Sequence, residues 1–219
     1  WNNRKHILWN LRPDVNILSG SNGLGKSTII NRSATHLDIL RTHRLSASPE
    51  DGVRFVFYPE DANIINFDVI RSIDRPVLNS DLLEKMSDVN VRTELDWQLY
   101  QLQRRYLNYQ VNIGNRIIRM LTAGTPEEQM QASELSKPKS IFQDMIDELF
   151  RETGKTIVRD SNEIFFMQYG EKITPYMLSS GEKQMLVILL TALVQDGRPG
   201  ALFMDEPEIS LHIEWQQRL

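Results

Sequence analysis

The stretch GSNGLGKST, residues 20–28, constrains this chain more than any other. Gly20, Gly25, Lys26 and Ser27 take the four defining places of the pattern G-x-x-x-x-G-K-[ST]. In such a loop the glycines let successive backbone N–H groups converge on phosphate oxygens, and a following helix adds the positive end of its dipole. The flanks supply the required order of strand, loop and helix. VNILS at 15–19 is a β-branched apolar run that predicts a strand, and STIINRSATHLDIL behind the loop sets Ile30, Ala34, Leu37 and Leu40 at helical spacing. In this frame Lys26 reaches the β and γ phosphates of a nucleotide and the Ser27 hydroxyl coordinates Mg²⁺. The plain alternative is a glycine turn with no ligand.

A phosphate loop needs an acid that holds the metal. GALFMDEPE at 200–208 offers one: four apolar residues predict a buried strand, and Asp205 and Glu206 stand at its C-terminal end, where ligands gather on parallel sheets. Asp205 is expected to hold Mg²⁺, directly or through water, and Glu206 to polarise the attacking water. Pro207 stops the strand. About twenty residues earlier, LSSGEKQ at 178–184 places Ser179 three residues before Glu182, a capping box that opens an apolar helix over 183–194 and ends near Gly197. Alone, this is a well-capped core helix. Yet Gly181 in the first turn weakens a helix unless something approaches its backbone closely, and a capped helix start attracts anions.

Taken in this order, the three motifs resemble the ATP-binding cassette ATPases, with LSSGE in the place of their signature sequence. The phrases DEPEISLH at 205–212 and DVNILSGSNGLGKST at 14–28 resemble more closely the soluble repair and defence branch. That branch includes the SMC and RecF heads and the ATPases of overcoming-lysogenisation-defect and Septu-type bacterial defence systems. The resemblance implies an α/β fold, a P-loop NTPase with an ATP-binding-cassette-like core sheet, flanking helices and an inserted helical lobe. It also implies ATP and Mg²⁺ as cofactors and a homodimer that closes head to tail over two ATP molecules. Carried onto this sequence, it puts Asn22, Gly23, Gly25, Lys26, Ser27 and Thr28 on the nucleotide of their own subunit. Ser179, Ser180, Gly181 and Glu182 would serve the partner's nucleotide, and Ser210 would lie in the loop joining the two sites. Ser27 and Asp205 would hold the metal, with Glu206 as the catalytic base; His212 belongs to the SLH phrase.

The pattern departs from that family in two places. The candidate strands VRFVFY (53–58) and FDVIRSI (67–73) are followed by Pro59 and Asp74, where a metal-sensing glutamine is expected. A switch histidine on a strand beyond the acidic pair is missing before Leu219. Arg4, His6 and Trp9 are the upstream candidates for contact with adenine.

Residues 1–79 and 154–219 are expected to form a split ATPase core around a helical lobe at 80–153. Within the lobe, Leu95, Leu99, Leu102, Tyr106, Tyr109, Ile113, Ile117 and Leu121 form one apolar stripe of a long helix over 93–122, with a bend expected near Gly114. Thr125 and Pro126 restart a helix, and 138–153 carries a second stripe through Ile141, Met145 and Leu149. No heptad persists long enough for a coiled-coil arm. TIVR and EIFFMQY, joined at DSN, predict a hairpin leading to LSSGE. Arg104, Arg105, Tyr106 and Arg116 suggest a nucleic-acid surface, although at helical spacing such residues more often make a core and a solvated face.

Composition excludes several classes. The 219 residues are 41% hydrophobic, enough for one substantial domain, and a net charge of −4 leaves no global basic footprint for nucleic acid. The absence of cysteine removes disulfide and thiolate metal sites and fits a reducing compartment, so a cytoplasmic location is expected. His6, His36, His43 and His212 form no ligand spacing. The run MLVILLTALV at 185–194 falls short of the roughly 20 residues that span a bilayer. A start at Trp1 makes a piece of a longer natural chain the expectation, continuing past 219. The expected activity is Mg-dependent ATP hydrolysis that drives a nuclease, a toxin or a nucleic-acid client. The alternatives are a nucleotide-gated scaffold with little hydrolysis and the ATP-binding subunit of a transporter.

Overall fold

Residues 6–43, 52–58, 66–71, 91–208, 211, 214 and 215 are described by the computed structural model. Arg4, Pro59, Ser72, Ile73, Asp74, Ser210 and His212, named above, lie outside the described residues. The chain divides into two compact units, residues 1–55 and 56–219.

In the first unit the apolar periodicity behind the glycine loop becomes helix α1, Lys26–His43. Ala34 and Leu37 are buried, Ile30 and Leu40 half-buried, and the buried His36 ring stacks on Phe55 with centroids 5.9 Å apart. Residues 15–19, where a strand is predicted, form no ladder among the described residues, and Val15 and Ile17 are 70% and 81% exposed. The reason is that a strand is defined by its neighbour. The described residues of this unit contain no second strand, so β-branched character has nothing to pair with. VRFVFY at 53–58 likewise forms no strand.

The second unit is built on a parallel pair, β1 (Asn66–Arg71) and β5 (Gly200–Asp205), in register from Asn66 opposite Gly200 to Arg71 opposite Asp205. β5 is half-buried along its length, whereas the sequence predicts a buried strand; two described strands leave part of the ribbon uncovered. Between them in sequence run α2 (Glu94–Ala123), α3 (Pro126–Gln131), α4 (Lys137–Leu149), the antiparallel strands β2 (Lys155–Ile157), β3 (Phe166–Gln168) and β4 (Glu171–Ile173), and α5 (Ser180–Val194).

Helix starts follow side-chain chemistry closely. Thr93 and Asp96 form a reciprocal capping box at the head of α2, and Thr125 and Glu128 form another at the head of α3, with Pro126 in the first position. α2 passes through Gly114 as one unbroken helix, and its stripe is buried from Leu95 to Ile113. Ile117 is half-buried and Leu121 is 54% exposed, so the cover ends before the helix does. In α4 the buried stripe is Phe142, Ile146 and Leu149, while Ile141 and Met145 face outward. One residue of helix is about 100° of rotation, so two adjacent stripes of similar hydrophobicity compete, and tertiary packing chose the one containing the larger Phe142.

α5 is buried on nearly all sides, through Met185, Leu186, Val187, Ile188, Leu190, Leu193 and Val194, as expected for a helix that is apolar all round. It runs beside α2 in the same direction. Lys183 meets Asp96 at 2.8 Å near both heads, and Arg116 meets Asp196 at 3.0 Å toward the far ends. Ile70 of β1, the inner faces of α2 and α4, Phe166 of the hairpin and α5 join one core, in which the Phe150 and Phe166 rings lie 5.6 Å apart. The predicted hairpin is present and gains a third strand, β4.

Candidate functional site

The loop at 20–28 turns twice through left-handed backbone on its way into α1. Gly23 and Gly25 sit at φ of 82° and 88°, a left-handed region that side-chain-bearing residues enter at a cost of about 1–2 kcal/mol. These two turns re-aim the backbone immediately before α1, and the first helical bond runs from Ile29 N–H to Gly25 O at 3.0 Å. Lys26 is the first residue of α1, and its Nζ donates to the carbonyls of Gly20 (2.8 Å) and Ser21 (3.2 Å). The ammonium is thereby folded across its own loop. Asn22, Gly23 and Thr28 are exposed, and Ser27 is half-buried in the first turn. His6 and Trp9, the described candidates for adenine contact, are both exposed.

In the second unit Asp205 closes β5 opposite Arg71, and Glu206 follows at a positive φ of 49°. This is a left-handed position held by a glutamate, directly ahead of Pro207. A glutamine does stand at this strand end, delivered from α2. The Gln98 Nε2 donates to Arg71 O at 3.1 Å, and Arg71 N–H donates to Gln98 Oε1 at 3.4 Å. Gln98 thus brackets the backbone of β1 at Arg71, and Arg71 itself pairs with Glu94 at 3.5 Å. The sequence next to the strand carries no sign of it, because Gln98 lies 27 positions after Arg71 and is brought back by helix packing.

The head of α5 is the capping box expected from its spacing. The Ser179 Oγ accepts from Glu182 N–H at 3.3 Å, and Glu182 Oε2 accepts from Ser179 N–H at 2.9 Å and from the Ser179 hydroxyl at 3.0 Å. Ser179 is exposed, while Ser180 and Gly181 are half-buried. Glu182 is only 1% exposed and points inward. Its Oε1 accepts from the Thr153 hydroxyl at 2.7 Å and from Lys155 Nζ at 2.8 Å. Burial alone would raise its pKa, but the bonds from Lys155, the Ser179 amide and Thr153 outweigh burial and hold the carboxyl below its usual value. The sequence marks the Ser179–Glu182 pair; it carries no sign of Thr153 and Lys155.

Comparison with family models matches residues 31–219 to the family described as "AAA domain, putative AbiEii toxin, Type IV TA system". The chain belongs to this AAA-domain family. The match begins inside α1 and includes the acidic strand end and the head of α5. No curated protein and no solved structure matches the chain.

As an AAA domain the chain is a P-loop ATPase domain with an α/β fold, and nucleotide binding is its basic property. Among the described residues no group of three or more His, Cys, Asp or Glu side chains is placed to hold a metal. Among the described residues no helix of this AAA domain is long and apolar enough to cross a membrane. Of the residues considered for a nucleic-acid surface, Tyr106 is buried, with its hydroxyl pushed up to about 12 by that burial and by Tyr109. Arg105 pairs with Asp68 and Arg116 with Asp196, while Arg104 lies over the Tyr100 ring at 5.4 Å.

Proposed function

We propose that this AAA domain binds Mg-ATP on the 20–28 loop, closes as a head-to-tail homodimer over two nucleotides, and hydrolyses ATP to drive a nuclease, a toxin or a nucleic-acid client. The reading places it in the soluble repair and defence branch of the ATP-binding cassette ATPases, with residues 80–153 inserted as a lobe in the core. The observation that carries it is the donor set of the loop. Two left-handed glycines precede a helix head, and an ammonium is held at the loop by the carbonyls of Gly20 and Ser21. That arrangement is complementary to a polyphosphate, which would take the Lys26 ammonium from those carbonyls.

Bound Mg²⁺ would neutralise charge on the β and γ phosphates, and Ser27 and Asp205 are the residues that would hold it. Lys26 orients the phosphates. Glu206 accepts the proton of the attacking water, and its left-handed backbone is the kind of strain that functional positions retain. Ser179 and the Gly181 amide serve the partner's γ phosphate, so closure favours the ATP state and is lost after hydrolysis.

The test is solution mass by light scattering on the full-length Glu206→Gln protein, with and without Mg-ATP. A mass that doubles only with ATP, and fails to double in the additional Ser179→Arg variant, supports the shared site; a monomer with ATP demonstrably bound rejects it. Glu206→Gln is also expected to bind ATP normally and to release phosphate at least about 100-fold more slowly. Glu206→Gly should lose turnover equally and yet gain about 0.5–1 kcal/mol of stability, because glycine relieves the positive φ while adding some unfolded-state entropy. A lowered melting temperature for Glu206→Gly would show that the backbone there is not strained. The second reading is a domain in which ATP gates a scaffold and hydrolysis is slow. ATP-driven doubling of the wild-type protein without phosphate release selects that reading.

A further inference from the structure

The Glu182 carboxylate has four lone-pair directions, and all four are used. Two are taken by Ser179, through its amide and its hydroxyl, and two by Thr153, just ahead of β2, and Lys155, its first residue. The Lys155 and Glu182 side chains are 11% and 2% exposed, so this charge pair is dry. The Ser179 hydroxyl has a single hydrogen, and it is spent on Glu182 Oε2 at 3.0 Å. A phosphate oxygen can only accept. For Ser179 to donate to one, its hydroxyl must turn away and leave Oε2 with the amide alone. A buried carboxylate tolerates that loss when a cation still stands on its other oxygen; without the cation it would grip the hydroxyl or take up a proton.

We propose that Lys155 and Thr153 are positioning residues for the head of α5, acting through Glu182. By filling Oε1 they hold the carboxylate plane and leave Oε2 to set where Ser179 sits, and the Lys155 charge makes the Ser179 hydroxyl releasable to a partner-bound nucleotide. This rests on the reading that the head of α5 meets a nucleotide. A buried charge pair kept only for stability gains little over an apolar pair of similar volume, so a positional role gives the pair a reason to exist.

The test uses the full-length protein on the Glu206→Gln background, with Lys155→Met, Lys155→Arg and Thr153→Val added singly. Each variant is measured for Mg-ATP affinity and for the protein concentration at which ATP doubles the mass. Because groups behind a direct ligand commonly control about 10- to 100-fold, Lys155→Met is expected to bind Mg-ATP within about twofold of the parent but to need at least about tenfold more protein to associate. Thr153→Val should shift in the same direction by a smaller factor, and Lys155→Arg should recover most of the loss. Association of Lys155→Met at the parent's concentration overturns the inference. If Lys155→Met does not fold, unchanged association of Thr153→Val overturns it. A parent that stays monomeric with ATP bound removes the shared-site reading and this inference together, and the parent measured alone reveals that case.

Discussion

Replacing Lys26 with alanine is expected to weaken Mg-ATP binding by on the order of 100-fold or more, the usual consequence of deleting a charged donor aimed at a phosphate. The substitution should leave the fold intact. Among the described residues Lys26 Nζ bonds to the carbonyls of Gly20 and Ser21 at an exposed loop, and alanine is a better helix former than lysine at the head of α1. Titration of the full-length protein with a fluorescent ATP analogue reads the effect directly. Leu24→Ala is the matched control, since Leu24 lies in the same loop and is 61% exposed; it should bind like wild type. Equal affinity of Lys26→Ala and wild type would mean that the left-handed glycines make a turn with no nucleotide on it, and the functional proposal would fall with that result.

Asp96→Ala carries the largest expected cost in stability, about 3–5 kcal/mol out of a typical total of 5–15. The carboxylate does two jobs from a position only 2% exposed. Oδ2 accepts from the amides of Arg92 (2.9 Å) and Thr93 (3.1 Å) and so closes the head of α2. Oδ1 faces Lys183 Nζ at 2.8 Å and ties α2 to α5. Alanine removes the cap and strands the Lys183 ammonium in a buried place. Asp96→Asn should fall between the two, because the amide oxygen can still accept from the α2 head but offers no charge. Urea denaturation with an unchanged m-value is the measurement. A loss below about 1 kcal/mol for Asp96→Ala would show that Lys183 reaches water once released.

The two predictions separate local chemistry from chemistry assembled at a distance. Lys26 is legible because loop, lysine and helix are consecutive. The same holds for the Thr125 cap and for the Ser179–Glu182 capping box, where partner and cap lie three residues apart. The buried stripe of α2 is legible because its apolar positions recur on one face from Leu95 to Ile113, whereas in the shorter α4 the stripe read through Ile141, Met145 and Leu149 is buried at Leu149 and exposed at the other two. The acidic strand end at Asp205 is legible from its apolar run and from the proline behind Glu206.

The amino-acid sequence by itself determined the glycine loop ahead of α1, the heads of α3 and α5, the acidic strand end and the α/β class, because each follows from residues within a few positions of one another. Tertiary structure alone decided that Gln98 brackets Arg71, that Asp96 meets Lys183, and that Lys155 and Thr153 hold Glu182. It also decided that 15–19 forms no ladder among the described residues. The physical reason is common to all four. Strand pairing and buried ion pairs draw their free energy from groups far apart in the chain, and no local pattern specifies a partner that only packing delivers.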